Sequence, residues 1–135
     1  FTEENVRFSP DGRFFAYMSN ESGQEEVYVQ NFPPAGGKWQ VSTGGGSQPH
    51  WRRDGQELYY VAPDRKLMVV SVKPGESFQN GTPAVLFQTE VSDFAHSNRY
   101  AVTADGQRFL VNSPVDANTL NPYTVILNWT STLKK

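Results

Sequence analysis

The chain has 135 residues, enough for one domain with a sizeable buried core. Its 12 basic and 14 acidic residues leave a net charge of −2 and are scattered, which excludes a nucleic-acid or membrane-surface footprint. Cysteine is absent, so disulfides, thiolate nucleophiles and thiolate metal sites are excluded together.

No apolar run approaches the roughly 20 residues needed to span a bilayer, so no membrane insertion by this segment is expected. The first residue, Phe1, is not Met and no signal segment follows it, which reads as a chain that begins inside a longer gene product. Eleven Gly, nine Pro and 13% aromatic residues point to an all-β chain rich in turns.

The first predicted strand covers 5–9 and ends at the corner Pro10-Asp11-Gly12 in "FSPDGRFFAY". Pro presets φ for a turn, Asp can accept hydrogen bonds from nearby backbone amides, and Gly tolerates positive φ. The chain returns over 13–19, turns at "SNESGQ", and continues as "EEVYVQNF", where Val27 and Val29 alternate with Tyr28 and Gln30. Glu25 and Glu26 point to opposite faces of that strand and read as a solvated edge rather than paired catalytic carboxylates. "PPAGG" then leads to "KWQVST" as an outermost strand.

A second unit follows with strands "QPHWR", "ELYYVA", "KLMVVSV" and "PAVLFQT", connected by the corner Asp54-Gly55, by "PDR" and by "KPGESFQNG". After "TEVSDFAHSN", which holds a short turn at most, a third unit gives "RYAVT", the corner Asp105-Gly106, "RFLVNS" and "YTVILNWT", with "PVDANTLNP" before the last strand. The reading is eleven strands and no helix.

The three Asp-Gly corners lie 43 and 51 residues apart. Each has Phe8, Trp51 or Val102 three positions before the Asp, and an apolar strand after the Gly. A period of 40–50 residues with one hairpin corner per unit is the signature of propeller blades. The predicted fold is therefore all-β, a partial β-propeller of about three four-stranded antiparallel blades spanning 1–135. The blades are placed at about 5–43, 47–89 and 97–131, the last lacking its outer strand. Asp11, Gly12, Asp54, Gly55, Asp105 and Gly106 are structural turn residues in this reading.

The stretches "FSPDGRFFAYMSNESGQEEVYV" and "GGGSQPHWRRDGQELYYVAPDRKLMVVSV" resemble the bacterial TolB-like β-propeller repeats, also called PD40 or WD40-like. "WRRDG" lacks the Ser-Pro of that pattern and "VTADG" keeps only Asp and Gly. The closing "YTVILNWTSTLKK" is similar to the end of propellers attached to eukaryotic-like serine/threonine kinases of bacteria. The resemblance implies a binding or scaffold module, extracytoplasmic (periplasmic or cell-surface), preceded by a kinase domain and a membrane helix. The alternative it leaves open is a propeller that gates an attached prolyl-oligopeptidase-like serine hydrolase.

Propellers usually close with about four to eight blades. Three blades leave apolar faces, such as those bearing Phe14, Tyr17, Phe109 and Leu110, and an open edge at "YTVILNWT". A homo-oligomer of two three-blade halves forming a six-blade ring is the simplest closure expected.

Catalytic signatures are missing. Ser47 in "GGGSQ" lacks the Gly-x-Ser-x-Gly elbow, and "GGK" at 36–38 runs into a strand rather than a helix. His50 and His96 have no ligand-spaced partner, so no metal site, cofactor or enzymatic activity is expected. What remains is the innermost strand of each blade, expected to line an axial channel. Arg7, Gln48, His50, Arg52 and Arg99 are the candidate binding residues there, with Asn5 beside them. The arginines suit carboxylate or phosphate recognition through paired N–H donors, and the partner expected is a protein or peptide.

Overall fold

The computed structural model describes residues 1–73, 75–91 and 98–113 and the backbone of 123–127. Expectations for His96, for "PVDANTLNP" and for the end of the last strand lie outside the described residues. Among the described residues the chain forms twelve strands and no helix.

Three antiparallel sheets follow one another. The first is β1 (Glu3–Phe8), β2 (Phe14–Ser19), β3 (Glu26–Asn31) and β4 (Lys38–Gln40), in spatial order β1-β2-β3-β4. The second runs β5 (Ser47–Trp51), β6 (Glu57–Val61), β7 (Lys66–Lys73) and β8 (Gln79–Asn80), with β9 (Ala84–Gln88) also on β7. The third is β10 (Tyr100–Val102), β11 (Arg108–Asn112) and β12 (Tyr123–Leu127). This is a partial propeller of consecutive meander sheets.

The twelfth strand corrects the count of eleven. The connection "KPGESFQNG" contains β8, which pairs Asn80 with Val72, while β9 pairs Ala84 with Val69. Four residues thus advance against three of β7, so β8 and β9 are two halves of one interrupted outer strand. Gly81 sits at the break with its N–H on the Ser71 carbonyl at 2.9 Å, and Pro83 has no N–H to continue the ladder.

Alternation decides which face each residue covers. On β6, Leu58 and Tyr60 join Val70, Val72 and Phe78 against Phe14, Ala16, Val27, Val29 and Val41 of the first sheet. Tyr59 and Val61 point the other way and pack with Leu67, Leu86, Tyr100, Phe109 and Val111. The middle sheet is therefore buried on both faces, which is why "ELYYV" reads as a nearly continuous apolar run.

The expected exposed faces need correction. Phe14, Tyr17 and Phe109 are buried, the first and last because they face the middle sheet. Leu110 is 45% exposed, as are Val6, Phe8 and Phe32 at about half. The free face of the first sheet carries a row of rings. Phe8 meets Phe32 edge-on at 4.9 Å, Phe15 lies 5.5 Å from Tyr17, and Tyr17 stacks on Tyr28 at 5.9 Å. Lys38, ion-paired with Glu21, caps this row 4.9 Å above Tyr28.

The three Asp-Gly corners are one device. Gly12 N–H donates to Ser9 C=O, Gly55 to Arg52 and Gly106 to Thr103, all at 2.9 Å, and the glycine φ values are 71°, 73° and 70°. In each corner an amide two residues on, from Arg13, Gln56 or Gln107, donates to the Asp Oδ1. The first turn residue supplies a second donor to that Asp: Ser9 Oγ and Thr103 Oγ1 at 2.6 Å, and the Arg52 guanidinium at 2.8 Å. These bonds hold the three carboxyls below the usual carboxylate range. The missing Ser-Pro of "WRRDG" is thus replaced chemically by Arg52. Val61 and Lys66 are joined by a fourth corner of this kind, in which Arg65 takes the left-handed position at φ 65° and donates its N–H to Ala62 C=O.

Two glycine substitutions separate backbone strain from packing. A Cβ on Gly12 would meet open space, so Gly12→Ala carries only the left-handed penalty of about 1 kcal/mol. A Cβ on Gly106 would stand 2.5 Å from Tyr59 Oη and 2.8 Å from Arg52 Cδ, inside the junction of the second and third sheets. Gly106→Ala is expected to cost about 1–3 kcal/mol more than Gly12→Ala, as read from urea unfolding midpoints.

Candidate functional site: the wall of the inner strands

The inner strands β1 and β5 begin from one repeated geometry. Asn5 and Gln48 both stand six residues before the corner Asp, and both adopt positive φ, 57° and 55°. At each, three residues of the inner strand advance against two of its neighbour: Glu4 to Arg7 against Met18 to Ala16, and Ser47 to His50 against Val61 to Tyr59. Such a bulge turns the strand and re-aims the side chains around it.

The consequence is a set of bonds running from each inner strand to the one before it. Trp51 Nε1 donates to Arg7 C=O at 3.0 Å. Tyr100 Oη donates to Gln48 C=O at 2.8 Å, and Arg99 N–H donates to Gln48 Oε1 at 2.7 Å. Gln48 is 1% exposed, so its side chain is a strap between the second and third sheets. Its amide is committed to that role, and burial raises the Tyr100 hydroxyl well above its ordinary pKa, keeping it a neutral donor.

Against this framework stand Arg7 and His50. Both occupy the position four residues before the corner Asp, so adjacent inner strands bring them side by side; the third equivalent is Ala101. The His50 ring lies 4.7 Å from the Tyr100 ring. Burial first, and the Arg7 charge second, push the His50 pKa down to about 4, against a hydrogen bond to Asn98 that favours the charged form. His50 Nε2 is buried and makes no hydrogen bond. Arg7 is half-buried and donates from Nη1 to Val6 C=O at 3.1 Å; among the described residues no carboxylate pairs with it.

Arg52 belongs elsewhere. Its guanidinium is engaged with Asp54 at 2.7 Å and Glu57 at 3.0 Å, and its stem packs against the Gly106 corner. The structure thus brings together Arg7, Gln48, His50 and the Arg99 backbone, and places Arg52 in a corner network instead.

Sequence reasoning missed Glu26. The solvated edge assigned to Glu25 and Glu26 is overturned for Glu26, which is 1% exposed. Its carboxylate accepts hydrogen bonds from Ser42 Oγ, from Gly45 N at 2.9 Å and from Gln24 Nε2 at 2.6 Å. Ser42 Oγ in turn accepts from Val27 N at 2.7 Å. A strand residue flanked by a Gly-rich linker carries no periodic signal for this, because the partners come from 16 and 19 residues away. The anchored linker walls a cleft of about 410 Å³ that Gln48, Glu25 and Arg65 also line.

No protein-family model and no curated protein matches the chain. Solved structures do. A TolB of Agrobacterium tumefaciens, described as putative, superposes with a TM-score of 0.60 at 16% identity, over 90% of this chain and 41% of that one. The oligogalacturonate lyase of Vibrio parahaemolyticus gives 0.58 at 17%, over 81% and 29%. The tricorn protease gives 0.57 at 14%, over 94% and 11%. The chain therefore has the TolB-like β-propeller fold and spans less than half the length of each of these proteins.

His50 couples stability to pH. Its pKa is lowered by folding, so the unfolded chain binds the proton more readily and stability is lost as pH falls from 6.5 towards 4. The displacement corresponds to about 3 kcal/mol at its full extent. His50→Gln is expected to remove most of that slope between pH 6.5 and 4, measured as urea unfolding free energy against pH.

Proposed function

We propose that the chain is a non-enzymatic binding module, which presents the wall of its inner strands and the adjoining loops to a protein or peptide partner. The carrying observation is a division of labour on that wall. Gln48, Tyr100 and Trp51 spend their polar groups on neighbouring strands, whereas Arg7 and His50 Nε2 retain hydrogen-bonding capacity. Rigid scaffolds that hold a few such groups in place are suited to recognition.

The TolB-like fold supports this reading and an extracytoplasmic setting; no helix among the described residues is long and apolar enough to cross a membrane. The similarity of "YTVILNWTSTLKK" to kinase-borne propellers supports a role as the sensor part of a membrane-anchored bacterial kinase. Because a lyase and a protease share the fold, turnover is part of the test. The free aromatic face of the first sheet supports closure with further blades, and two copies forming a six-blade ring is the simplest solution for this chain alone.

Two measurements test these proposals. Selection from a random peptide library should yield binders whose affinity falls at least tenfold in the Arg7→Ala/His50→Ala double variant, with unchanged circular dichroism; hydrolysis of the selected peptides or loss of no affinity would overturn the reading. In sedimentation equilibrium the chain should run as a dimer, and Phe8→Asp/Phe32→Asp should shift it to monomer. A well-folded wild-type monomer at micromolar concentration would refute ring closure by self-association.

A further inference from the structure

In the cleft between the Gly-rich linker and the turn at 62–65, we infer a binding site for a basic side chain, lysine or arginine, of a protein partner. The inference rests on the binding reading above and names one group that such a partner inserts.

Room for that group exists. The cleft encloses about 410 Å³, within the range of about 300–1,000 Å³ typical of ligand clefts. Gln24, Glu25 and Gly45 contribute polar lining, and Val61, Ala62 and Pro63 contribute apolar lining. The linker side is fixed by the chain's own bonds: Gly46 N–H donates to Glu25 C=O and Gly45 N–H to the Glu26 carboxylate, both at 2.9 Å.

Charge selects the occupant. The Glu26 carboxylate is buried, and its three donors are all neutral: the Ser42 hydroxyl, the Gly45 amide and the Gln24 side-chain amide. Two of these donors belong to cleft-lining residues, so the negative charge lies one hydrogen bond behind the wall. Glu25, which lines the cleft itself, adds a second carboxylate. Among the described residues no basic side chain pairs with either acid. The nearby bases are engaged elsewhere, Arg65 with Glu90 at 3.3 Å and Lys66 with Asp64 at 2.9 Å. A buried charge is weakly screened, and it favours a cation in the open space beside it.

The hydrogen-bonding inventory agrees. The amides of Gly45 and Gly46 and the Gln24 Nε2 are already donating within the chain, which disfavours an anion. The acceptors Gln24 Oε1 and the Glu25 carboxylate suit an ammonium or guanidinium. A lysine or arginine matches both kinds of lining, with its methylene stem along Ala62 and Pro63 and its charged head against Glu25. A bare metal ion matches less well. It needs several hard ligands, and among the described residues no three His, Asp or Glu side chains converge to hold one.

The test is a titration of the 135-residue chain at pH 7 and matched ionic strength, following the Gly45 and Gly46 amide resonances by NMR. The probes are Nα-acetyl-lysine methylamide, its norleucine and glutamate counterparts, and calcium chloride. The lysine probe should give saturable shifts and bind at least about tenfold more tightly than the norleucine and glutamate probes. Glu25→Gln should weaken the lysine probe at least about tenfold while leaving the norleucine probe unchanged, and Glu25→Asp should weaken it less. Ala62→Leu, which fills the cleft without touching a charge, should weaken both probes; it decides where Glu25→Gln fails to fold. Equal binding of the lysine and norleucine probes overturns the charge recognition, and saturation by calcium without the lysine probe replaces the site with a metal site. If library peptides bind through Arg7 and His50 while the lysine probe does not bind, the cleft inference alone fails. If no peptide binds, the binding reading fails, and with it the assignment of the cation to a protein partner.

Discussion

A strand that is apolar on both faces cannot be left half-covered, and β6 imposes that condition on the whole molecule. Leu58 and Tyr60 look towards the first sheet and Tyr59 and Val61 towards the third, each buried to within a few per cent. Burying a side chain of this size is worth about 1.5–3 kcal/mol, so exposing either face would remove several such contributions at once. Neighbouring sheets must therefore stack on both sides of the middle one. Once they do, β5 lies between β1 and β10, and the inner wall exists as a consequence of packing rather than as a separate design.

The same stacking leaves a debt at the end of the array. Phe8, Phe15, Phe32, Tyr17 and Tyr28 alternate onto the face of the first sheet that no sheet among the described residues covers. Ring-to-ring contacts and the Lys38 cap shield part of this surface, which explains why Tyr17 is buried while Phe8 and Phe32 remain half exposed. Among the described residues a row of rings lies on the outer face of the first sheet, and β12 pairs with β11 at the edge of the third.

Polar groups are sorted as strictly as apolar ones. Asp11, Asp54 and Asp105 each accept hydrogen bonds from their own turns, and Arg52 supplies one of those donors at the second corner. Glu26 is satisfied by three donors and anchors the Gly-rich linker between the first two sheets. Gln48 and Tyr100 bind the second and third sheets. Arg7 and His50 stand apart from this sorting on the inner wall, and the binding proposal draws on that contrast.

The repeat was legible in the residues because its causes are local. Gly at a left-handed position, Asp two residues before an amide, and period-two alternation act over a few residues, so all-β character, meander sheets and hairpin corners could be read without coordinates. That Arg52 replaces Ser9 as the donor to its Asp was not legible, because the pattern names residue types and the turn needs only a hydrogen-bond donor. The burial of Glu26, the strap at Gln48, and the split of one outer strand into β8 and β9 were equally hidden, since their partners arrive from other strands and linkers. Local conformational preference thus determined the units and their turns, whereas the stacking of sheets alone decided which polar groups were consumed in holding the sheets together and which were not.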